Sequence, residues 1–181
     1  MLKDISEVLL SEEQIDKKVR ELAAALNRDY KDKNPVFVGI LKGSFVFMAD
    51  LVRRIETVCE VAFMSVSSYG SGVESSGRIT IRKDLEMDVE GRHIIFVEDI
   101  IDSGMTLAYL IKYTSNRNAA SVKVISFLDK PSRRKTELVP DYRGYEIPDA
   151  FVVGYGLDYN AQYRNLPYIG ILKPEVYSKP Q

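Results

Sequence analysis

Tryptophan is absent from this chain of 181 residues, and cysteine and histidine occur once each. The single cysteine, Cys59, excludes an intrachain disulfide, and its apolar neighbours predict a buried small side chain rather than a nucleophile. The single histidine, His93, precedes the apolar run 94–97, which favours a structural place at the edge of a strand. The sequence therefore offers neither a Ser-His-Asp triad nor a zinc site built from cysteine and histidine.

Long hydrophobic runs and an excess of one charge are also missing. No N-terminal segment resembles a signal peptide or a membrane span, so a cytoplasmic location without membrane attachment is expected. The 25 basic and 26 acidic residues leave a net charge of -1, which provides no general attraction to nucleic acid. Any phosphate binding must therefore be local. The length and the hydrophobic content of 45% predict one globular domain over 1–181.

Strand and helix patterns alternate along the chain. Ser11 and Gln14 form a capping-box pattern before a helix. Short apolar runs predict strands at 35–41, 58–66, 92–97, 122–128, 151–155 and 168–172. The alternation with helical spacing predicts an α/β, doubly wound, mainly parallel sheet flanked by helices. Ligands in such sheets bind beyond the carboxyl ends of the strands, which are followed here by 42–44, 98–106 and 154–164.

The segment 67–83 differs from its surroundings. It contains three of the eleven glycines and five serines, with few large apolar residues. This composition predicts a long loop or a weak hairpin, and loops of that length are often functional lids.

The residues 102–106, Asp-Ser-Gly-Met-Thr, stand between an apolar strand and a helix. Backbone amides at a helix N-terminus favour an anion, and Gly104 permits close approach of the backbone, so this segment, called here the phosphate cup, suits a phosphate. For Asp102 or Ser103 alone, a helix N-cap is the ordinary alternative. The adjacent Glu98 and Asp99 favour a ligand, since two carboxylates at the end of an apolar strand suit ribose hydroxyls or magnesium.

The string 97–107, Val-Glu-Asp-Ile-Ile-Asp-Ser-Gly-Met-Thr-Leu, resembles the phosphoribosyl-pyrophosphate motif of the type I phosphoribosyltransferases. Further matches resemble the hypoxanthine-guanine branch of that family. They are Leu41-Lys42-Gly43, similar to a pyrophosphate loop whose Leu-Lys bond is often cis, Ser68-Tyr69 of the lid, Lys130, 151–155, 157–160 and Arg164. Met105 departs from the members that carry lysine there.

The resemblance implies a phosphoribosyltransferase fold with a small hood and a flexible lid loop at about 67–83. It implies transfer of the phosphoribosyl group from phosphoribosyl pyrophosphate to N9 of hypoxanthine or guanine, with Mg2+, in a homodimer or homotetramer. Asp102 would be the general acid/base. Phosphoribosyl pyrophosphate would be bound by Lys42, Gly43, Glu98, Asp99, Asp102, Ser103, Gly104, Met105, Thr106 and Arg164. The purine would meet Lys130, Phe151, Val152 and Asp158, the lid would place Ser68 and Tyr69, and the metal would meet Asp158, Glu98 and Asp99.

Alternatives stay open at this point. Lys130 begins a basic run, and such runs are usually solvated surface. Asp158 and Arg164 could form an ion pair, and Phe151 could belong to the core. The substrate could also be xanthine, adenine or a pyrimidine. A further alternative is a regulatory protein of the same fold that binds the sugar phosphate but catalyses no reaction. A dinucleotide-binding domain is disfavoured because no GxGxxG follows a strand.

Overall fold

A computed structural model describes residues 2–68 and 79–178 of the chain. The helices are α1 (Glu12–Asp29), α2 (Phe45–Val52), α3 (Met105–Ser115) and α4 (Pro174–Tyr177). The strands are β1 (Ile5–Leu10), β2 (Val36–Leu41), β3 (Glu60–Ser68), β4 (Ile79–Lys83), β5 (His93–Ile101), β6 (Ser121–Asp129), β7 (Tyr142–Glu146), β8 (Val152–Val153) and β9 (Ile169–Leu172). Within this part of the chain no helix has the length and apolar character needed to cross a bilayer.

The main sheet has six strands in the order β4-β3-β2-β5-β6-β7. All neighbours are parallel except β3 and β4, which confirms the predicted α/β class. Successive side chains of a strand point to opposite faces of the sheet, and on the central strands both faces are buried. Phe37 and Ile95 pack toward α1 and α2, whereas Val38 and Phe96 pack in a second cluster with residues of α3.

A separate three-stranded sheet forms the hood, in the antiparallel order β1-β9-β8. Two predicted strands, at 151–155 and 168–172, belong to this sheet, so placing them in the parallel sheet was wrong. The first of them pairs over only Val152–Val153. Short apolar runs of this kind carry no signal for the sheet they join, because that choice depends on distant partners.

Several boundaries differ from the sequence prediction. The pattern did not predict β1 or β7, and β5 continues through Glu98 and Asp99 to Ile101 instead of ending at Val97. The segment 67–83 begins and ends in paired strands, with Ser68 opposite Ile79. The paired ends fit the weak-hairpin alternative rather than a loop over the whole of 67–83.

Helix α1 begins as its sequence predicts. The Gln14 amide donates to the Ser11 hydroxyl, and the Ser11 amide donates to the Gln14 side chain at 2.8 Å. His93 opens β5, with its Nδ1 2.8 Å from the Ser121 hydroxyl, which confirms the structural place expected for it.

Candidate active site

The carboxyl ends of β2, β5 and β6 meet at one edge of the main sheet. Lys42 and Gly43 follow β2, Asp102 follows β5, and Lys130 follows β6. The peptide bond between Leu41 and Lys42 is cis, as the family resemblance implied. Segments far apart in sequence are thus brought to the edge where α/β proteins bind ligands.

The phosphate cup encloses a cavity of about 150 Å³. Its walls come from the end of β5 and the start of α3, and they include five predicted residues: Glu98, Asp102, Ser103, Gly104 and Thr106. Met105, which was also predicted to bind the phosphate, is the first residue of α3 and does not line this cavity in the part of the chain that the structure describes. The cavity therefore forms at a helix N-terminus, where unpaired amides and the helix dipole favour an anion.

Gly104, rather than Asp102 or Ser103, is the N-cap residue of α3. Its φ of 76° lies in the left-handed region that glycine adopts without steric cost. No side chain caps the helix, and the Met105 amide reaches the Ser103 hydroxyl at 3.4 Å. The alternative of Asp102 as an ordinary helix cap is thereby excluded, and its carboxylate lies instead 3.7 Å from the Lys130 ammonium.

Glu98 and Asp99 lie half-buried near the end of β5. Burial, followed by the neighbouring charge of Asp99, raises the pKa of Glu98 well above its ordinary value. Burial also raises the pKa of Asp99 to about 6, although hydrogen bonds from the backbone and the charge of Arg164 act in the opposite direction. Two poorly solvated carboxylates favour a bound cation or hydroxyl donors.

The Glu98→Gln variant is expected to be more stable than the wild type at pH 7.5 when no ligand is bound. A carboxyl with a raised folded pKa binds its proton more tightly in the folded state. The stability of the wild type therefore falls as the pH rises from about 4 through the raised pKa values of Glu98 and Asp99. The pKa of Asp99 is about 6. We expect the melting temperature to rise by a few degrees, since about 1 kcal/mol corresponds to roughly 2–4 °C in a chain of this size.

Melting curves in chelator across pH 4–8 check this expectation. The gain from Glu98→Gln should shrink toward pH 4, where both states are protonated. The exposed Glu90 provides the matched control, and Glu90→Gln should follow the wild-type profile. A gain that is the same at every pH would contradict the electrostatic cause.

The loop after β2 packs tightly against β5 and against the segment after β8. A Cβ built on Gly43 would lie 1.7 Å from Asp99 Oδ2, and one on Gly156 would lie 2.2 Å from the Gly43 carbonyl oxygen. Gly156, with a φ of 99° and backbone at this distance, requires glycine, whereas a side chain at Gly43 would displace the Asp99 carboxylate. Gly43 thus lies against the Asp99 carboxylate, and the preceding Lys42 is exposed.

Asp158 and Arg164 do form the ion pair that was an alternative for them, with Arg164 Nη2 2.7 Å from Asp158 Oδ1. Arg164 also donates to the Gly156 carbonyl at 2.7 Å, and Asp158 accepts from the Ala161 amide at 2.8 Å. These contacts hold both side chains at the site, and Asp158 lines the cavity described next. The ion pair and a ligand role are thus compatible.

A second cavity, called here the base pocket, has a volume of about 500 Å³. It is lined by Ile100, Asp102, Lys130, Arg133, Asp149, Ala150, Phe151, Val152, Leu157, Asp158, Ile171, Leu172, Pro174 and Tyr177. All four predicted purine-binding residues are among them. The walls combine apolar side chains and an aromatic ring with a few charged groups, as small-molecule sites do.

Lys130 is only 5% exposed, so the solvated surface run is excluded as its environment. Its ammonium group lies 3.7 Å from Asp102 Oδ1, and its amide donates to the Ile101 carbonyl at 2.9 Å. A buried ammonium is a strong hydrogen-bond donor that favours an acceptor on a bound ligand.

The comparisons with known proteins match this geometry. A model of the phosphoribosyl transferase domain matches residues 7–160. The hypoxanthine-guanine phosphoribosyltransferase of Bacillus subtilis is 56% identical over 177 residues, covering 98% of each chain. The chain belongs to the hypoxanthine-guanine phosphoribosyltransferase family. The enzyme of that name from Streptococcus pneumoniae is 55% identical and covers 97% of each chain. A crystal structure of a hypoxanthine phosphoribosyltransferase from Staphylococcus aureus has a TM-score of 0.96 and 50% identity, covering 99% of this chain and 97% of that one.

The carboxylates predicted to meet a metal are Glu98, Asp99 and Asp158, and Asp102 and Asp149 also line the cavities of this site. Over residues 2–68 and 79–178, no group of three or more side chains forms a complete metal cage. Mg2+ commonly binds through one or two carboxylates together with water and substrate oxygens. The donor set therefore fits Mg2+ that arrives with a phosphorylated substrate.

Sequence reasoning missed Tyr177 of α4. The Phe151 ring is 39% exposed and stacks on Tyr177, with centroids 4.9 Å apart and planes inclined by 22°. Tyr159 meets Phe151 edge-on at 5.6 Å. Phe151 is thus oriented by two tyrosines. A lone tyrosine near the end of the sequence offered no pattern from which this role could be predicted.

The two residues predicted for the lid are Ser68 and Tyr69. Ser68 ends β3, and Tyr69 lies outside the described residues. Their roles remain predictions.

Proposed function

We propose that this phosphoribosyltransferase transfers the phosphoribosyl group from phosphoribosyl pyrophosphate to N9 of hypoxanthine or guanine, releasing IMP or GMP and pyrophosphate. One observation carries the proposal. The phosphate cup and the base pocket share Ile100 and Asp102. A sugar phosphate seated in the cup and a base in the pocket would therefore meet beside the Asp102 carboxylate.

In the proposed reaction, the bond from ribose C1 to pyrophosphate breaks as N9 of the base bonds to C1. The proton on N7 passes to Asp102, whose side chain is 48% exposed and reaches both cavities. A carboxylate within hydrogen-bond reach of that nitrogen is a suitable general base. No nucleophilic side chain is needed.

Base selection rests on Lys130, Phe151 and Val152. The Lys130 ammonium would donate to the 6-oxo group of the purine. A 6-amino purine would place donor against donor in a closed site, which costs much of its binding free energy. Phe151 would stack on the ring, and Val152 would contact the base through its backbone.

The pyrophosphate would be bound by Lys42, Gly43 and Arg164. The planar guanidinium of Arg164 suits phosphate oxygens. Mg2+ would be held by Asp158, with Glu98 and Asp99 contacting the metal or the ribose hydroxyls. When bound, the metal would neutralise charge on the departing pyrophosphate. The 5′-phosphate would occupy the cup and take its bonds from the segment Ser103–Thr106.

The family relation supports three further proposals. A lid within 67–83, with Ser68 and Tyr69, would close over the site and exclude water. The enzyme would work as a homodimer or homotetramer, and in the cytoplasm.

Product formation by the purified protein tests the function. Phosphoribosyl pyrophosphate, Mg2+ and one of five bases (hypoxanthine, guanine, xanthine, adenine or uracil) are supplied in turn. We expect product from hypoxanthine or guanine, abolished by chelation. Product mainly from adenine or uracil would overturn the base assignment. Tight binding of the sugar phosphate with no product from any base would favour a regulator of the same fold.

A further inference from the structure

The segment 130–136 lies along the back of the phosphate cup and binds three successive carbonyl groups of the chain leading into it. The amide of Lys130 donates to the Ile101 carbonyl at 2.9 Å, and the amide of Lys135 donates to the Ser103 carbonyl at 2.9 Å. Between them, Arg134 Nε donates to the Asp102 carbonyl at 3.0 Å. Every carbonyl from 101 to 103 is therefore held on one side.

Holding these carbonyls determines where the amides point. In a trans peptide unit, the carbonyl of one residue and the N–H of the next face opposite directions. With the carbonyls of 101–103 directed at the segment 130–136, the amides of 102–104 point away from it. The cavity of the cup is lined by these same three residues. The contacts thus orient amide donors for an anion.

Two side chains donate to these carbonyls: Thr136 Oγ1 reaches the Ser103 carbonyl at 3.5 Å, and Arg134 holds the Asp102 carbonyl. The Arg134 guanidinium is tied at each nitrogen. Nη1 donates to the Leu138 carbonyl and Nη2 to Asp129. Asp129 is 2% exposed, and the Arg134 side chain is 12% exposed. The guanidinium therefore has a fixed orientation, and one buried carboxylate supports the Asp102 carbonyl through it.

Gly104 shows how closely the cup is packed on this support. A Cβ there would lie 2.6 Å from Thr136 Oγ1 and 2.9 Å from Arg134 Cδ. The cup backbone consequently rests directly on Arg134 and Thr136 and has no room for a side chain.

We infer that Arg134 is a positioning residue for the ribose phosphate: by holding the Asp102 carbonyl, it presets the Ser103 amide, one of the donors proposed for the 5′-phosphate. The inference deepens the proposed function and rests on the cup being the phosphate site. It also explains how the basic run serves both substrates. Lys130 at one end of the segment faces the base pocket, and Arg134 near the other end shapes the cup.

Binding of phosphoribosyl pyrophosphate with Mg2+, measured by calorimetry, tests the inference. We expect Arg134→Met to raise the Kd about 10-fold or more, the usual range for losing a hydrogen bond from a charged donor. Arg134→Lys should not rescue binding, because an ammonium lacks a fork that reaches three diverging acceptors. In steady state, the KM for phosphoribosyl pyrophosphate should rise by the same factor, while the KM for hypoxanthine stays within about 3-fold.

A double variant, Asp129→Asn with Arg134→Met, separates positioning from stability. Arg143 Nη1 also lies 3.4 Å from Asp129 Oδ2, so Arg134→Met leaves the buried carboxylate with this longer contact in place of a close one. Neutralising Asp129 as well should therefore let the melting temperature recover relative to Arg134→Met. The Kd should remain raised. Recovery of the wild-type Kd in the double variant, or wild-type binding by Arg134→Met, would overturn the inference.

Arg117 is the matched control. Near the C-terminal end of α3 it contacts the carboxylate of Asp84 and the carbonyl of Met87, and its side chain is 31% exposed. Arg117→Met should lower the melting temperature with no change in Kd. The Kd is measured without turnover. If the wild type binds the sugar phosphate but forms no product, the proposed function is refuted, while the Kd of the Arg134 variants still decides the inference.

Discussion

Replacing Asp102 by asparagine is expected to lower turnover by about 10²–10⁴-fold, the usual contribution of general acid/base catalysis. Asparagine has nearly the same shape but accepts no proton from the base. Binding of phosphoribosyl pyrophosphate should change little, because the cup is built from backbone and the carbonyl of residue 102 keeps its bond from Arg134. Single-turnover rates and calorimetric Kd values on the same variant measure the two effects separately.

Glu137→Gln is a suitable control for the Asp102 variant. Glu137 is exposed and close in sequence to the segment behind the cup, so the substitution removes a nearby carboxylate without entering the site. It should keep wild-type turnover. Wild-type turnover by Asp102→Asn would remove the proposed catalytic role.

Replacing Lys130 by methionine is expected to lower kcat/KM for hypoxanthine by about 10- to 100-fold, because a charged hydrogen bond to the 6-oxo group is lost. Discrimination against adenine should fall with it, since the donor that rejects a 6-amino group is gone. Competition between hypoxanthine and adenine measures this ratio directly.

The stability of the Lys130 variant distinguishes a binding role from a structural one. The ammonium is 5% exposed, and its ion partner Asp102 lies 3.7 Å away. A half-exposed carboxylate at this distance compensates the burial of the ammonium only in part, so methionine, of similar length, should leave the melting temperature unchanged or raise it. Lys112→Met on the exposed face of α3 should alter neither property. Unchanged base preference in Lys130→Met would refute the assignment.

The central part of the fold was predictable because its signals are local. The capping box of Ser11 and Gln14, the apolar run at 35–41 and the alternation of strands with helices all depend on neighbouring residues. The phosphate cup followed from the same local signals. By contrast, Glu98 and Asp99 were taken to end β5, because charged residues normally mark the end of a buried strand. The strand in fact carries them half-buried and continues to Ile101.

Features that depend on distant contacts were not predictable from composition or periodicity. Lys130 opens a basic run that resembles solvated surface, whereas in the fold it is 5% exposed and lines one pocket with Val152, Leu157 and Leu172. The β7 sequence Tyr-Arg-Gly-Tyr-Glu has little aliphatic character, because an edge strand with half-exposed faces does not require it. The contacts of Arg134 join a side chain to a backbone carbonyl 32 residues away, which no local pattern records.

The hood has a consequence for the order in which the site is completed during synthesis. The cup needs only β5, the start of α3 and the segment after β6, so its parts leave the ribosome together. The base pocket needs β9, which pairs with β1 about 160 residues earlier. The Lys173 amide likewise donates to the distant Asp4 carbonyl. Such distant pairing forms slowly. A nascent chain would therefore form the cup well before the base pocket, and β1 stays without its partner until residues 169–172 have been made.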